Sequence, residues 1–130
     1  MIKCFIIKII VLCLVSINAF ALDKVLLFGD SLMAGYGLPN EHRLYVVLEE
    51  DLKKSGHKIK VVNGSVSGNT SSAGLNRVDW TLSEPDIDLM VLGLGANDML
   101  RGIKPSETKK NLEKIIFCLL YTSDAADDIP

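Results

Sequence analysis

The chain has 130 residues, with 14 lysines and arginines against 16 aspartates and glutamates and a formal net charge of −2. This length holds one domain of ordinary size, and the near balance of charge, without basic runs interleaved with aromatic residues, argues against a nucleic-acid-binding protein. The apolar share of 48% is that of a globular protein, although the first segment of the chain raises it.

Residues 1–21 have the pattern of a secretory signal peptide. Lys3 and Lys8 supply the basic segment, residues 9–17 supply a short apolar segment, and Ala-Phe-Ala at 19–21 fits a cleavage site. The apolar segment is shorter than the roughly 20 residues that cross a bilayer, so cleavage is favoured over an uncleaved anchor. The sequence therefore predicts a periplasmic or secreted protein without a stable membrane anchor after cleavage.

Residues 118–130 differ abruptly in composition from the amphipathic stretch before them. Cys118 to Asp127 can be back-translated as TGT CTC TTA TAC ACA TCT GAC GCT GCC GAC, which resembles a widely used transposase sequencing adapter read in frame. We therefore expect the native sequence to end near Phe117 in this chain; a natural acidic, flexible tail is the alternative. Cys118 is the only cysteine after the leader, so no internal disulfide is expected.

Short apolar runs alternate with amphipathic stretches between residues 22 and 117, which is the pattern of βαβ units. Strands are predicted at residues 25–28, 59–63 and 88–94. The first and third runs are nearly continuously apolar, as in parallel strands that are covered on both faces. We expect an α/β fold with a parallel sheet whose exposed edge needs further strands.

Three helices are predicted between and after these strands. The first covers residues 43–55 and is closed by Gly56, the second starts near Ser71 or Ser72 and ends before Pro85, and the third follows Pro105 or Ser106. The spacing of Leu112, Ile115 and Ile116 predicts that they form the inner face of the third helix.

Polar motifs follow all three predicted strands: GDSL at 29–32, SVSGNTSSAG at 65–74 and GLGAND at 93–98. Each motif alone is more typical of a turn or a helix cap than of a catalytic site. Because the carboxyl ends of parallel strands meet at one edge of a sheet, their recurrence indicates a site at that edge.

Other known motifs do not fit. A phosphate-binding loop needs a lysine that no glycine-rich segment here supplies, and the Gly-x-Ser-x-Gly elbow is broken at Met33. His42 and His57 stand apart from any cysteine or carboxylate cluster with metal-ligand spacing. Neither a metal nor a cofactor is therefore predicted.

Together the three motifs resemble the first conserved blocks of the GDSL or SGNH hydrolases, over residues 24–117, and especially the periplasmic arylesterase and acyl-thioesterase/lysophospholipase branch. The resemblance implies a flavodoxin-like three-layer α/β/α sandwich and a serine esterase that acts on small-molecule acyl esters or thioesters. It also implies that Ser31 is the nucleophile, and that the N–H groups of Ser31 and Gly68 and the Asn97 amide bind the oxyanion. Asn69 stands where many members of that branch have aspartate.

The same family takes its general base from the histidine of an Asp-x-x-His motif near the C-terminus, and this sequence contains no such motif. Pro39 stands three residues before His42, and Lys54 three before His57. We therefore expect negligible ester hydrolysis from the chain as written. Two alternatives stay open: a non-catalytic carbohydrate- or lipid-binding module on the same fold, and a nucleotide-binding flavodoxin-like domain.

Overall fold

A computed structural model of the protein describes residues 22–126, with side chains up to residue 121. Within that range three strands form a parallel sheet in the order β2-β1-β3, where β1 is Lys24–Gly29, β2 is Lys60–Asn63 and β3 is Leu89–Gly93. Each strand predicted from the sequence is confirmed, with its ends shifted by no more than one residue. The predicted leader lies outside the described residues.

Six α-helices are described in the same range. They are α1 (Ser31–Ala34), α2 (Leu44–Lys54), α3 (Ser71–Leu75), α4 (Val78–Leu82), α5 (Ala96–Leu100) and α6 (Pro105–Ala126), with a 3₁₀ turn at Asn40–His42. The first predicted helix is confirmed as α2, and Gly56 follows it with a φ of 88°, in the left-handed region that glycine adopts without a steric cost. The two short helices α1 and α5 replace turns that the sequence predicted.

The central strand β1 is buried on both faces, which explains its continuous apolar sequence. On one face Leu26 and Phe28 pack against Val78 of α4 and Ile115 of α6. On the other face Val25, Leu27 and Val61 pack against residues that lie mainly in α2, namely Met33, Tyr45, Leu48, Leu52 and Ile59. The sheet thus lies between two helical layers, and the predicted α/β/α sandwich is confirmed.

The second predicted helix is divided into α3 and α4 at Asn76 and Arg77. Arg77 adopts φ −122° and ψ 0°, which is outside the helical region, and its guanidinium donates hydrogen bonds to the carbonyl oxygens of Gly29 and Gly64. The prediction of one continuous helix was wrong because the pattern of apolar residues does not reveal this break.

Helix α6 begins at Pro105, a residue suited to the first turn because its missing N–H would have no helical partner there. Ile115 is fully buried and Leu112 packs against the same core, as predicted, whereas Ile116 is 46% exposed and its predicted inner position was wrong. The helix continues past Phe117, and the proposed end of native sequence there stays a prediction. No helix within residues 22–126 is long and apolar enough to span a membrane.

Strand β3 forms one edge of the sheet as described, since it pairs with β1 alone. Leu89 and Val91 are 44% and 40% exposed, whereas Met90 and Leu92 pack into the core on the opposite face. One face of this edge strand is therefore apolar and open to solvent.

Candidate active site

Ser31 lies at the tip of the turn that follows β1 and is the first residue of α1. Buried Asp30 caps this helix, because its carboxylate accepts a hydrogen bond from the N–H of Leu32 at 3.0 Å. A Cβ atom on Gly29 would lie 2.5 Å from the Met33 sulfur and 2.8 Å from the Gly93 carbonyl oxygen. The close packing around Gly29 thus requires glycine at this position. The half-buried Ser31 follows two residues later.

Gly68 lies in the loop that follows β2, with a φ of 80°. The loop turns here, because the N–H of Asn69 donates to the carbonyl of Val66 at 3.2 Å, and Arg101 donates to the carbonyl of Gly68 at 3.1 Å. A Cβ atom at Gly68 would meet no atom within 4 Å. The backbone conformation therefore favours glycine at this position, whereas the described part of the chain leaves room for a larger side chain.

Asn97 lies in α5, directly after β3, and is half-buried. Its side-chain Nδ2 donates to the main-chain carbonyl of Asn69 at 3.0 Å and is 3.4 Å from Oδ2 of Asp30. The first contact is a good hydrogen bond, while the second is long and correspondingly weak. One amide group from the segment after β3 therefore contacts the loops that follow β1 and β2.

These contacts bring the neighbours of the predicted site residues together. Asp30 precedes Ser31, Asn69 follows Gly68, and both contact Asn97. No described residue makes a hydrogen bond to the hydroxyl of Ser31. Both histidines are exposed, His42 in the 3₁₀ turn and His57 between α2 and β2, and neither bonds to Ser31 within the described part of the chain.

Asp98, which the sequence did not identify as a site residue, is next to Asn97 and only 1% exposed. Its carboxylate accepts hydrogen bonds from the N–H of Ser71 at 2.7 Å, from the Ser71 hydroxyl, and from the Thr108 hydroxyl at 3.1 Å. Burial alone would raise the pKa of Asp98, but these hydrogen bonds outweigh it and hold the pKa below its ordinary value. The carboxylate thus joins α3, α5 and α6 as an anion.

Arg77 was likewise not identified from the sequence, although its guanidinium contacts the loops after β1 and β2. It donates to the side-chain oxygen of Asn69 at 2.7 Å, and burial lowers its pKa from the ordinary value. In the sequence it is an arginine in an amphipathic stretch, where a charged side chain is expected to face solvent. That pattern is too common to identify a site residue.

An apolar groove of about 790 Å³ lies between α5 and α6. Its apolar lining comes from Met99, Ile103, Leu112 and Ile116. Within residues 22–121, no group of three or more histidine, cysteine or acidic side chains is placed to hold a metal ion.

The architecture is that of the SGNH-hydrolase fold. The solved structure of AlinE4, described as an SGNH-hydrolase family esterase, matches with a TM-score of 0.74 and 40% identity over 78% of this chain and 55% of that one. A structure of TesA matches with a TM-score of 0.73 and 35% identity over 76% and 55% of the two chains. The sequence profile of the GDSL-like Lipase/Acylhydrolase family matches residues 27–122, and the chain belongs to that family.

Curated relatives carry enzyme names of one kind. An arylesterase of Vibrio mimicus is 43% identical over 96 residues, which are 74% of this chain and 48% of that protein. Esterase TesA of Pseudomonas aeruginosa is 39% identical over 71% and 46% of the two chains, and thioesterase 1/protease 1/lysophospholipase L1 of Escherichia coli K12 is 37% identical over 81% and 49%. The chain thus spans about half the length of the curated relatives it matches.

Proposed function

We propose that this chain carries the nucleophile and the oxyanion donors of an exported serine esterase that hydrolyses small-molecule acyl esters or thioesters. The observation that carries the proposal is the position of the Asn97 amide, which bonds to Asn69 beside Gly68 and approaches Asp30 beside Ser31. The names of the relatives, arylesterase, esterase and thioesterase/lysophospholipase, support the same class of reaction.

In the proposed reaction the hydroxyl oxygen of Ser31 attacks the substrate carbonyl carbon. The proton of the hydroxyl passes through a base to the leaving alcohol or thiol, and an acyl-serine ester forms. Water, activated by the same base, then attacks this ester and releases the acid and the free hydroxyl. Each step passes through a tetrahedral species whose oxygen carries negative charge.

Three donors are proposed to bind that oxygen: the N–H groups of Ser31 and Gly68, and the side-chain amide of Asn97. One N–H of this amide is held by the Asn69 carbonyl at 3.0 Å, which orients the group. The other makes only the long 3.4 Å contact with Asp30, a bond weak enough to be exchanged for one to the oxyanion. A donor that is oriented before the reaction has no reorganisation cost in the transition state.

The base is the part of the mechanism that these residues do not supply. Without it the serine hydroxyl is a weak nucleophile, so we propose that the 130-residue chain by itself has negligible esterase activity. The resemblance implies an Asp-x-x-His motif encoded farther along the gene. Sequencing the gene past the codon for Phe117 tests this: an intact reading frame without the motif favours the non-catalytic binding module instead.

The proposed acyl or aryl subsite is the apolar groove beside α5. Met99 and Ile103 give the groove apolar lining, and Leu32, next to Ser31, is 79% exposed. Burial of an apolar acyl group against such side chains is worth about 0.8 kcal/mol per methylene. We therefore propose substrates with apolar acyl or aryl groups.

The test of the nucleophile is hydrolysis of p-nitrophenyl acetate by the complete protein and by its Ser31→Ala variant. We expect the variant to lose at least about a thousandfold in kcat, since loss of a triad serine removes covalent catalysis. The matched control is Ser83→Ala, because Ser83 bonds to the Trp80 carbonyl at the opposite edge of the sheet and should keep full activity. Unchanged hydrolysis by Ser31→Ala would falsify the assignment.

Export is proposed from the leader alone. The expected result is a mature protein in the periplasmic or culture fraction whose N-terminal residue, read by mass spectrometry, is Leu22. A protein that keeps residues 1–21 and sediments with membranes would support the uncleaved anchor instead.

A further inference from the structure

We propose that Arg77 is a positioning residue for the oxyanion site, holding Asn69, and through Asn69 the amide of Asn97, in place. The proposal rests on the proposed esterase function and goes beyond it, because it assigns a role to a residue that need not touch substrate.

The guanidinium of Arg77 joins the loops that follow two strands. Nη2 donates to the carbonyl of Gly29 at 3.3 Å, and Nη1 donates to the carbonyl of Gly64 at 2.6 Å. Nε donates to the side-chain oxygen of Asn69 at 2.7 Å. One planar cation therefore fixes the residue that precedes Asp30-Ser31 and both ends of the segment that contains Gly68.

The position of this cation is well defined. The central carbon of the guanidinium lies 4.0 Å from the ring centroid of Phe28, and Phe28 is fully buried. The ring restricts the position of the guanidinium from one side, and the three hydrogen bonds fix the directions of its N–H groups. A lysine ammonium carries its three N–H groups on one nitrogen, so it cannot reproduce bonds that arginine makes from three separate nitrogens.

The acceptors of Arg77 within the described residues are neutral oxygens. Hydrogen bonds from a cation to neutral acceptors are stronger than those between two neutral groups, particularly where burial limits access of water. The 2.6 and 2.7 Å distances to Gly64 and Asn69 agree with bonds of this kind. These bonds are therefore strong enough to fix the loop.

Asn69 transmits this restraint to the site. Its side-chain oxygen accepts from Arg77, while its main-chain carbonyl accepts from Nδ2 of Asn97. If Arg77 is replaced, the side chain of Asn69 loses its hydrogen bond to the guanidinium. The main-chain carbonyl of Asn69, which orients the Asn97 amide, then becomes mobile. Displacement of an oxyanion donor raises the transition-state energy more than the energy of bound substrate, so kcat should fall while KM changes little.

A purely structural role for Arg77 makes a different prediction, and Lys24 provides the comparison. The ammonium of Lys24 donates to the Pro85 carbonyl at 2.6 Å. It is therefore also a cation bonded to a loop, but at the amino ends of the strands, away from the site. Lys24→Met should lower the free energy of unfolding without changing kcat. If Arg77 only stabilises the fold, its substitution should have the same two effects.

The experiment compares Arg77→Gln, Arg77→Lys and Lys24→Met in the complete enzyme with p-nitrophenyl acetate. We expect both Arg77 variants to lose about ten- to a hundredfold in kcat with KM changed less than about threefold, as for a donor displaced by about 1 Å, and Lys24→Met to keep its kcat. A folded Arg77→Gln protein with the kcat of the parent would overturn the proposal.

A double-mutant cycle with Asn97→Ala identifies the route of the effect. If Arg77 acts through Asn97, Arg77→Gln should lower kcat less than about threefold once the Asn97 amide is absent. Losses that multiply would show that Arg77 acts elsewhere and would overturn the proposal. Should Arg77→Gln fail to fold, Asn69→Ala breaks the same link while Gly29 and Gly64 keep their bonds, and its unchanged kcat would also count against the proposal.

The Ser31→Ala protein distinguishes failure of the positioning role of Arg77 from failure of the proposed esterase function. If Ser31→Ala is inactive and Arg77→Gln keeps the parent kcat, the positioning role fails and the esterase function stands. If Ser31→Ala retains hydrolysis, the proposed function fails first, and the role of Arg77 fails with it.

Discussion

The side-chain amide of Asn97 donates a 3.0 Å hydrogen bond to the main-chain carbonyl of Asn69, across 28 residues of sequence. This bond joins the loop after β3 to the loop after β2 and sets the orientation of the amide. The same nitrogen lies 3.4 Å from the carboxylate of Asp30, in the loop after β1. The amide is thus oriented before any substrate binds, which is the condition for electrostatic stabilisation of a developing oxyanion.

Replacing Asn97 by alanine should therefore lower the kcat of the complete enzyme by about 10²- to 10³-fold, the range found when one oxyanion donor is removed. KM should change little, because the ground-state carbonyl carries little charge. Steady-state kinetics with p-nitrophenyl acetate measures both constants. The control is Asn76→Ala, an exposed asparagine that ends α3. Equal activity in the two variants would remove Asn97 from the mechanism.

Gly68 and Gly56 form a matched pair, because their φ angles are 80° and 88° and neither would bring an added Cβ within 4 Å of another atom. Alanine should cost about 1–2 kcal/mol of stability at each position through the left-handed backbone. Only Gly68→Ala should also lower kcat, by about tenfold or more, because relief of the strain moves the N–H proposed to bind the oxyanion. Thermal unfolding and kinetics on both variants test this, and an equal kcat would show that Gly68 serves the turn alone.

The sequence predicts the sheet and its polar edge well because both depend on local patterns. A short, continuous apolar run such as Val25 to Phe28 favours a buried strand. Small polar residues after a strand indicate a turn. The predicted parallel strands therefore place Ser31, Gly68 and Asn97 at one edge, and the structure brings their loops together through the Asn97 amide.

Arg77 and Asp98 could not be identified from the sequence because their partners are distant and their burial depends on the whole fold. Arg77 lies in an amphipathic stretch, where a charged residue is expected to face solvent, and only the break between α3 and α4 turns it toward Gly29. Asp98 resembles any acidic residue in a first helical turn, yet it is buried by donors from α3 and α6. The inner position predicted for Ile116 was wrong for a different reason: helical spacing alone does not show how much of the helix surface is covered.

Asp98 makes stability depend on pH. Because its pKa is lowered in the folded protein, the unfolded chain binds more protons between the folded and unfolded pKa values. The stabilisation is therefore complete above the ordinary carboxyl range and is lost as the pH falls toward the depressed folded value. Asp98→Asn should lower the free energy of unfolding at neutral pH by about 2–3 kcal/mol, the cost of breaking a buried, charged hydrogen-bond network.

The same variant should show a smaller loss of stability on acidification than the parent, because it no longer carries this carboxylate. Urea unfolding at a series of pH values measures the difference. Asp51→Asn is the control, since Asp51 is exposed and pairs with Lys54 on the surface of α2, where ion pairs contribute little. Parallel pH curves for Asp98→Asn and the parent would contradict the assignment of the acid-sensitive group.

The open edge of β3 predicts the behaviour of the 130-residue chain in solution. An edge strand presents unpaired N–H and C=O groups, and the exposed side chains of Leu89 and Val91 add apolar surface beside them. Both features favour pairing with another strand, so the chain should self-associate at micromolar concentration.

Val91→Lys should reduce this association, because a charged residue on an edge strand is costly to bury in a new sheet. Val47→Lys is the matched control: Val47 is 38% exposed, close to the 40% of Val91, but it lies on helix α2. Sedimentation velocity over a concentration series should show a shift toward monomer for Val91→Lys alone; an equal shift for both variants would mean that general hydrophobicity, and not the strand edge, drives the association.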